Sequence, residues 1–128
     1  MTKAAAIHAF FSQFLKAYEE NSVFDTDEPP VMPYLTYSLT TGAFDPDENG
    51  APMNVSLWYR SESWVPVNAK TEEISRAIGR HGVQLRCDGG YIVIRRNNTN
   101  FAQSMGDPSD DRVKRKYITL NIEYYTND

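Results

Sequence analysis

Alternation with a period of two recurs along this chain and constrains its fold more than any other feature. Tyr117, Ile118, Leu120, Ile122 and Tyr124 form a run in which Thr119, Asn121 and Glu123 take the other face. Met53, Val55, Leu57 and Tyr59 alternate with Asn54, Ser56, Trp58 and Arg60, and Leu35, Tyr37 and Leu39 alternate with Thr36, Ser38 and Thr40. Successive strand side chains point to opposite faces, so each run predicts a strand with one apolar side. Between the two earlier runs lies Asp45-Pro-Asp-Glu-Asn-Gly50, whose Asn-Gly ending favours a turn and pairs them as an antiparallel hairpin. Val83, Leu85 and Cys87, then Asp88-Gly89-Gly90, then Tyr91 to Arg95 predict a second hairpin.

Two segments follow a helical period instead. Ile7, Phe10, Phe11, Phe14, Leu15 and Tyr18 lie on one stripe of a helix that starts at a Thr2 N-cap and runs to Asn21-Ser22. Ala69, Ile74, Ala77 and Ile78 predict a shorter helix over 69–79, with Asn68 as N-cap and Gly79 or Gly82 as C-cap. The order is helix, hairpin, helix, hairpin, strand, without a regular βαβ rhythm. It predicts an α+β fold, a mainly antiparallel sheet packed by the two helices, with residues 1–128 as one domain. The acidic, proline-studded segment 25–33 reads as a connection, and the polar segment 97–112 as a long loop of the kind that is usually either functional or disordered.

Composition narrows the function classes. The 128 residues carry a net charge of −4, which argues against a chain whose main task is gripping nucleic acid. That charge is uneven. Residues 1–50 hold two basic and eight acidic side chains, a net of −6, and the remainder nets +2. Such polarity suits head-to-tail stacking of copies. The single Cys87 excludes an internal disulfide and fits a reducing compartment. No apolar run has the length of a membrane span, and no secretory signal pattern opens the chain, so the expected site is a cytoplasm. Without an export signal, the acceptor patterns at Asn54 and Asn97 read as chance.

Motifs for chemistry are weak. Asp45-x-Asp47-x-Asn49-Gly50 opens like an EF-hand loop, but its twelfth position is Ser56 and its flanks read as strands. His8 lies at the edge of the helical stripe without a partner at ligand spacing. His81 and Cys87 could form a nucleophilic pair, but Cys87 shares a strand face with Val83 and Leu85, as a buried inert thiol does. Phosphate loop, nucleophile elbow, zinc spacing and dinucleotide fingerprint are all missing, so the expectation is no enzyme, no cofactor and no metal. Alternation splits the basic run Arg112-Val-Lys-Arg-Lys116, with Lys114 and Lys116 on one face and Arg115 on the other. Its ordinary role is a solvated strand end or edge protection, with Asp107, Asp110 and Asp111 as nearby partners. Trp58, Trp64, Tyr91, Tyr117 and Tyr125 exceed what one helix-covered face can bury, and either a subunit interface or a third layer within the monomer would cover the surplus.

Taken together, the N-terminal helix, the Pro33-Tyr-Leu-Thr-Tyr37 strand, the Trp-bearing second strand, the short helix, and the polar Phe101–Arg112 segment leading into Val113–Tyr124 resemble phage tail terminator or tail-completion proteins of siphophages and prophages. The resemblance spans nearly the whole chain. It implies a structural α+β subunit that forms a ring, commonly a hexamer, which ends tail-tube polymerisation and joins tail to head. Implied partners are copies of itself, the major tail tube protein and a head-completion protein, with DNA only as passing cargo and no membrane. The place implied is the host cytoplasm during assembly and the virion afterwards. It also implies that loops such as 25–33, 44–52 and 97–112 become ordered in the ring. Candidate subunit-interface or mobile-loop residues are Trp58, Trp64, Phe101, Met105, Asp107, Asp110, Asp111, Arg112, Lys114 and Lys116. The alternative is a bacterial binding module that offers an aromatic sheet face to a small ligand or protein.

Overall fold

In a computed structural model of the chain, the described residues are 1–21, 30–38, 51–97 and 101–127. The Asp45–Gly50 turn, Leu39 and most of the 25–33 connection lie outside them. Among the described residues the elements are α1 (Lys3–Phe11), β1 (Ala17–Glu19), β2 (Tyr34–Tyr37), β3 (Ala51–Arg60), α2 (Val65–Ile78), β4 (Val83–Cys87), β5 (Gly90–Arg96), β6 (Ala102–Asp107) and β7 (Asp110–Thr126). The expected α+β fold, with a mostly antiparallel and curled sheet, is what forms.

Strand order is β1-β2-β3-β7-β5-β4, and β6 also pairs with β7. The seventeen-residue β7 organises this sheet. β3 pairs along residues 113–122 of β7 on one side. On the other side β6 takes residues 110–118 and β5 takes 120–126, end to end. The two predicted hairpins are present as β2–β3 and β4–β5. At the second, Gly90 has φ 155°, and a Cβ there would stand 2.0 Å from the Tyr125 carbonyl oxygen, so only glycine lets the two backbones meet.

Three expectations are corrected. α1 ends at Phe11, not near Asn21. The Ser12 N–H bonds back to the His8 carbonyl, and the Gln13 and Phe14 N–H groups then bond only three residues back, tightening the chain out of the helix. Tyr18 therefore lies on β1, which pairs parallel with β2; Ala17 points inward and Tyr18 outward, a period of two that the helical stripe concealed. Phe14 and Leu15 still pack on the core from the turn.

The second correction concerns α2, which starts at Val65, four residues before the expected start, with Trp64 as N-cap in place of Asn68. Pro66 fits a first turn because its missing N–H needs no partner there. The Ser63 hydroxyl oxygen accepts from the Val65 N–H at 3.0 Å. The buried residues Val67, Thr71, Ile74 and Ile78 then fall at 0, 4, 7 and 11 along one stripe, and Gly79 is the C-cap.

The third correction is the largest. The 97–112 segment, expected as a loop, holds β6, a turn at Pro108-Ser109, and the start of β7. Asp107 closes the turn: its Oδ1 accepts from the Ser109 N–H at 2.8 Å and from the Ser109 hydroxyl at 2.7 Å. Met105, Asp107, Asp110, Asp111 and Arg112 are thus strand residues of a β6–β7 arm, not loop residues.

The core lies on the concave side of the sheet. Ile118, Leu120, Ile122 and Tyr124 of β7, Val55 and Leu57 of β3, and Ile92 and Ile94 of β5 face Ile7 and Phe11 of α1 and Val67, Ile74 and Ile78 of α2. α2 packs on β3, β7 and β5, while α1 touches both β1 and β4, which the curl of the sheet brings to one helix. The Met1 carbonyl accepts from the Asp88 N–H at 2.7 Å, tying the start of the chain to the β4–β5 turn.

Candidate functional site

Neither α1 nor α2 lies over the convex face of the sheet, and Glu20, just past β1, borders it beside Thr36. Alternation places Tyr18 of β1, Tyr34 of β2, Trp58 of β3 and Arg115 and Tyr117 of β7 on this face in one row. Tyr34 pairs across the ladder with Trp58, and Trp58 with Arg115. The rings of Tyr18 and Tyr34 meet edge to face at 6.0 Å, and Tyr34 stacks on Trp58 at 5.9 Å with planes 15° apart. The Arg115 guanidinium lies 4.6 Å from the Trp58 ring centre and 5.4 Å from that of Tyr117. It is a cation held between two ring faces.

Hydrogen bonds fix this row. The Trp58 Nε1–H donates to Thr36 Oγ1 at 3.0 Å, and Arg115 donates from Nε and Nη2 to Ser56 Oγ at 3.2 and 3.1 Å. Thr36 and Ser56 are buried although they face away from the helices, because the row itself covers them. Tyr34 is only 8% exposed for the same reason. Burial pushes its phenol pKa up, and the Arg115 charge works against that rise. A depression on each side of Arg115 completes the surface. One is lined by Thr36, Asn54, Ser56 and Tyr117, the other by Trp58, Met105, Pro108 and Val113.

The β6–β7 arm adjoins the row. Met105 lies across the ladder from Arg115, Gly106 from Lys114 and Ser104 from Lys116. Lys114 and Lys116 turn to the opposite face, where their ammonium groups stand 5.6 and 5.8 Å from the Trp64 ring centre. The expected split of Arg115 from these lysines is therefore observed. The expected pairing with acidic neighbours forms for Arg112, which meets Asp110, and not for Lys114 or Lys116 among the described residues. Lys116 Nζ donates to Ser104 Oγ at 2.7 Å, and partial burial pulls its pKa down. Lys114 donates to the backbone carbonyl of Asp111. Nor do these lysines protect an edge, because β7 is an interior strand. Asp110 instead pairs with Arg60 at 2.7 Å and Arg112 at 3.5 Å. The Arg112 N–H, then Arg60, hold its carboxyl below the usual range.

The candidate residues thus divide. Trp58 and Met105 flank Arg115 on the convex face. Trp64, Lys114 and Lys116 form a second group on the helix side, and Phe101 packs partly into the core. Asp107 and Asp110 shape the turn and its start. Sequence reasoning missed Tyr18, Tyr34 and Arg115 as members of one row. Their signal was present in the strand parity, once Tyr18 is assigned to a strand.

The weaker motifs also find their places. His8 Nδ1 lies 3.1 Å from the Tyr37 hydroxyl. His81 precedes β4 and Cys87 ends it, so the five-residue strand, about 13 Å long, separates them. Ser56, the twelfth position of the EF-like spacing, is a buried strand residue bonded to Arg115. Among the described residues no group of three His, Cys, Asp or Glu could hold a metal ion, and no helix is long and apolar enough to cross a membrane. Comparison with known protein families, with curated proteins and with solved structures finds no match.

Proposed function

We propose that this protein is the structural subunit of a ring at the end of a phage tail tube, where it ends tube polymerisation and joins tail to head. The observation that carries this reading is the convex face. Its row of Tyr18, Tyr34, Trp58, Arg115 and Tyr117 is built from the residue types that dominate protein interfaces, fixed in place by Thr36 and Ser56, and left uncovered by both helices. The uneven charge of the chain and the whole-chain resemblance to tail terminators support the same reading. In it the subunit acts by shape and contact, without a cofactor or a reaction, on copies of itself, on the tube protein and on a head-completion protein, while DNA passes.

Light scattering and negative-stain microscopy of the purified chain test this directly. The expected result is a closed ring, and addition of that ring to polymerising tube protein shortens the tubes. A protein that stays monomeric at every concentration and leaves tube length unchanged overturns the reading.

The two depressions beside Arg115 favour a second reading, a binding module that holds a ligand against the row. It predicts a monomer whose Trp58 fluorescence saturates with one ligand, and ring formation excludes it.

A further inference from the structure

Three strands of the described sheet have a neighbour on one side only: β1, β4 and β6. α1 lies against β1 and β4. Nothing described lies along the outer edge of β6, and Gln103, Ser104, Met105, Gly106 and Asp107 are all exposed. The ladder says which backbone groups that edge presents. The Thr119 N–H donates to the Phe101 carbonyl at 2.8 Å, so Phe101 faces β7 with its backbone. Antiparallel ladders alternate, which turns Gln103 and Met105 toward β7 as well and leaves the N–H and C=O groups of Ala102, Ser104 and Gly106 pointing outward.

These three are small residues, and a Cβ built at Gly106 meets nothing within 4 Å. Natural edges are ordinarily blunted by a lysine, a proline or a bulge. Residues 102–106 contain none of these; the register shift comes only at Gly106/Asp107, and the nearest proline is Pro108 in the turn. An edge this open is a template for a further strand.

We propose that the outer edge of β6 is the joint at which a second copy of this chain adds an extended acidic segment as the next strand of the sheet. This rests on the ring reading above and adds, beside the convex row, a second surface to the ring contact. Charge identifies the occupant. Lys116 reaches across to Ser104 Oγ, which sets its ammonium group over the edge strand, and Lys114 lies across the ladder from Gly106. A strand added beside β6 meets that positive charge over Ser104 and Gly106, with the Asp107 carboxylate only at the end of the edge, and the first fifty residues of the chain supply the −6 that complements it. The two surfaces are different, so the contact is head to tail, the kind that closes rings when its rotation fits.

Ser104→Pro tests this joint, because it removes an outward N–H and no bond to β7. Ser104→Ala is its control, since it loses the Lys116 contact and keeps the N–H. Circular dichroism and thermal melting establish folding, and light scattering gives assembly. The expected result is a folded Ser104→Pro monomer whose assembly is weakened at least tenfold, beside wild type and Ser104→Ala proteins that both form rings. If folded Ser104→Pro forms rings as wild type does, the joint lies elsewhere while the ring reading stands. If wild type itself stays monomeric, the ring reading fails and this proposal fails with it.

Amide exchange of the wild type protein covers the case of a variant that does not fold. The amides of Gln103 and Met105 are slow in the subunit already, and those of Ala102, Ser104 and Gly106 become slow only on assembly. Fast exchange at Ser104 and Gly106 inside the ring overturns the proposal.

Discussion

The concave and convex faces belong to the same strands and are held by different forces. On the concave side Ile118, Leu57 and Ile92 are fully buried under two helices, and their contribution comes from apolar area removed from water. On the convex side neither α1 nor α2 excludes water, and the row is held by ring stacking, one guanidinium and hydrogen bonds to Thr36 and Ser56. The first kind of packing is non-directional and stabilises the subunit. The second is directional and fixes a surface, so substitutions on the two faces should differ in what they damage.

Ile118→Ala gives the largest expected effect. It leaves a cavity where β7 meets the helices, and it should lower unfolding free energy by about 2–5 kcal/mol in urea titration. A loss below about 1 kcal/mol would show that this part of the core can collapse around the change. On the other face of the same strand, Arg115→Ala removes two ring contacts and the donors to Ser56. It should lower the stability of the fold by about 1–2 kcal/mol and weaken the proposed assembly by more than that. Arg115→Lys keeps the charge and loses the flat stacking surface, so it should recover only a minor part. Equal damage to stability and assembly from Arg115→Ala would erase the distinction between the faces.

How much of this was legible in the sequence follows the same division. Alternation in β3 and β7 predicted the concave core and the antiparallel sheet, because burial imposes a period of two on any strand with one covered side. It also predicted that Arg115 departs from Lys114 and Lys116. The convex row was not legible as a unit. Its members come from four strands, and Tyr18 keeps helical spacing with Phe11 and Phe14 although the chain leaves the helix after Phe11. The β6–β7 arm was hidden for another reason. Gln103, Ser104, Met105, Gly106 and Asp107 bury no face, so their sequence carries no apolar alternation, and only the ladder to β7 makes them a strand. The Asp107-Pro-Ser-Asp110 turn was the available signal, and its polar surroundings made it read as loop.

Two adjacent tyrosines carry the comparison into pH. Tyr124 points to the core, and burial pushes its phenol up to about 12 from 10.0. Tyr125 is on the exposed face, and its hydroxyl is raised first by donating to the Glu123 carboxylate. For Tyr124 the folded state resists ionisation that the unfolded chain allows. Its contribution is therefore fully present below pH 10 and is lost as the pH rises toward 12. Absorbance titration of the phenolates should end on the Tyr124 component, after the less strongly raised tyrosines, and Tyr124→Phe should remove that last component and flatten the alkaline loss of stability. A last component unchanged in Tyr124→Phe would place the most strongly buried phenol elsewhere.

The smallest effect belongs to the tip of the arm, where residues 103–112 bury no face. The Asp110 carboxylate accepts from the Arg112 N–H at 3.0 Å and pairs with Arg60, and both hold its pKa below the ordinary 3.8. The sign is opposite to that of Tyr124. The carboxylate's contribution is present above the unfolded value of 3.8 and is lost as the pH falls through the lower folded value. Acid should therefore loosen the end of the β6–β7 arm before it unfolds the sheet, speeding exchange at the Arg112 amide while Ile118 and Leu120 stay protected. Asp110→Asn should remove the acid step and leave the melting temperature at neutral pH almost unchanged, because an exposed pair contributes little there. If the amides of Arg112 and Ile118 open together as the pH falls, the arm is part of one cooperative unit with the core, and the contrast between the regions ends at that strand.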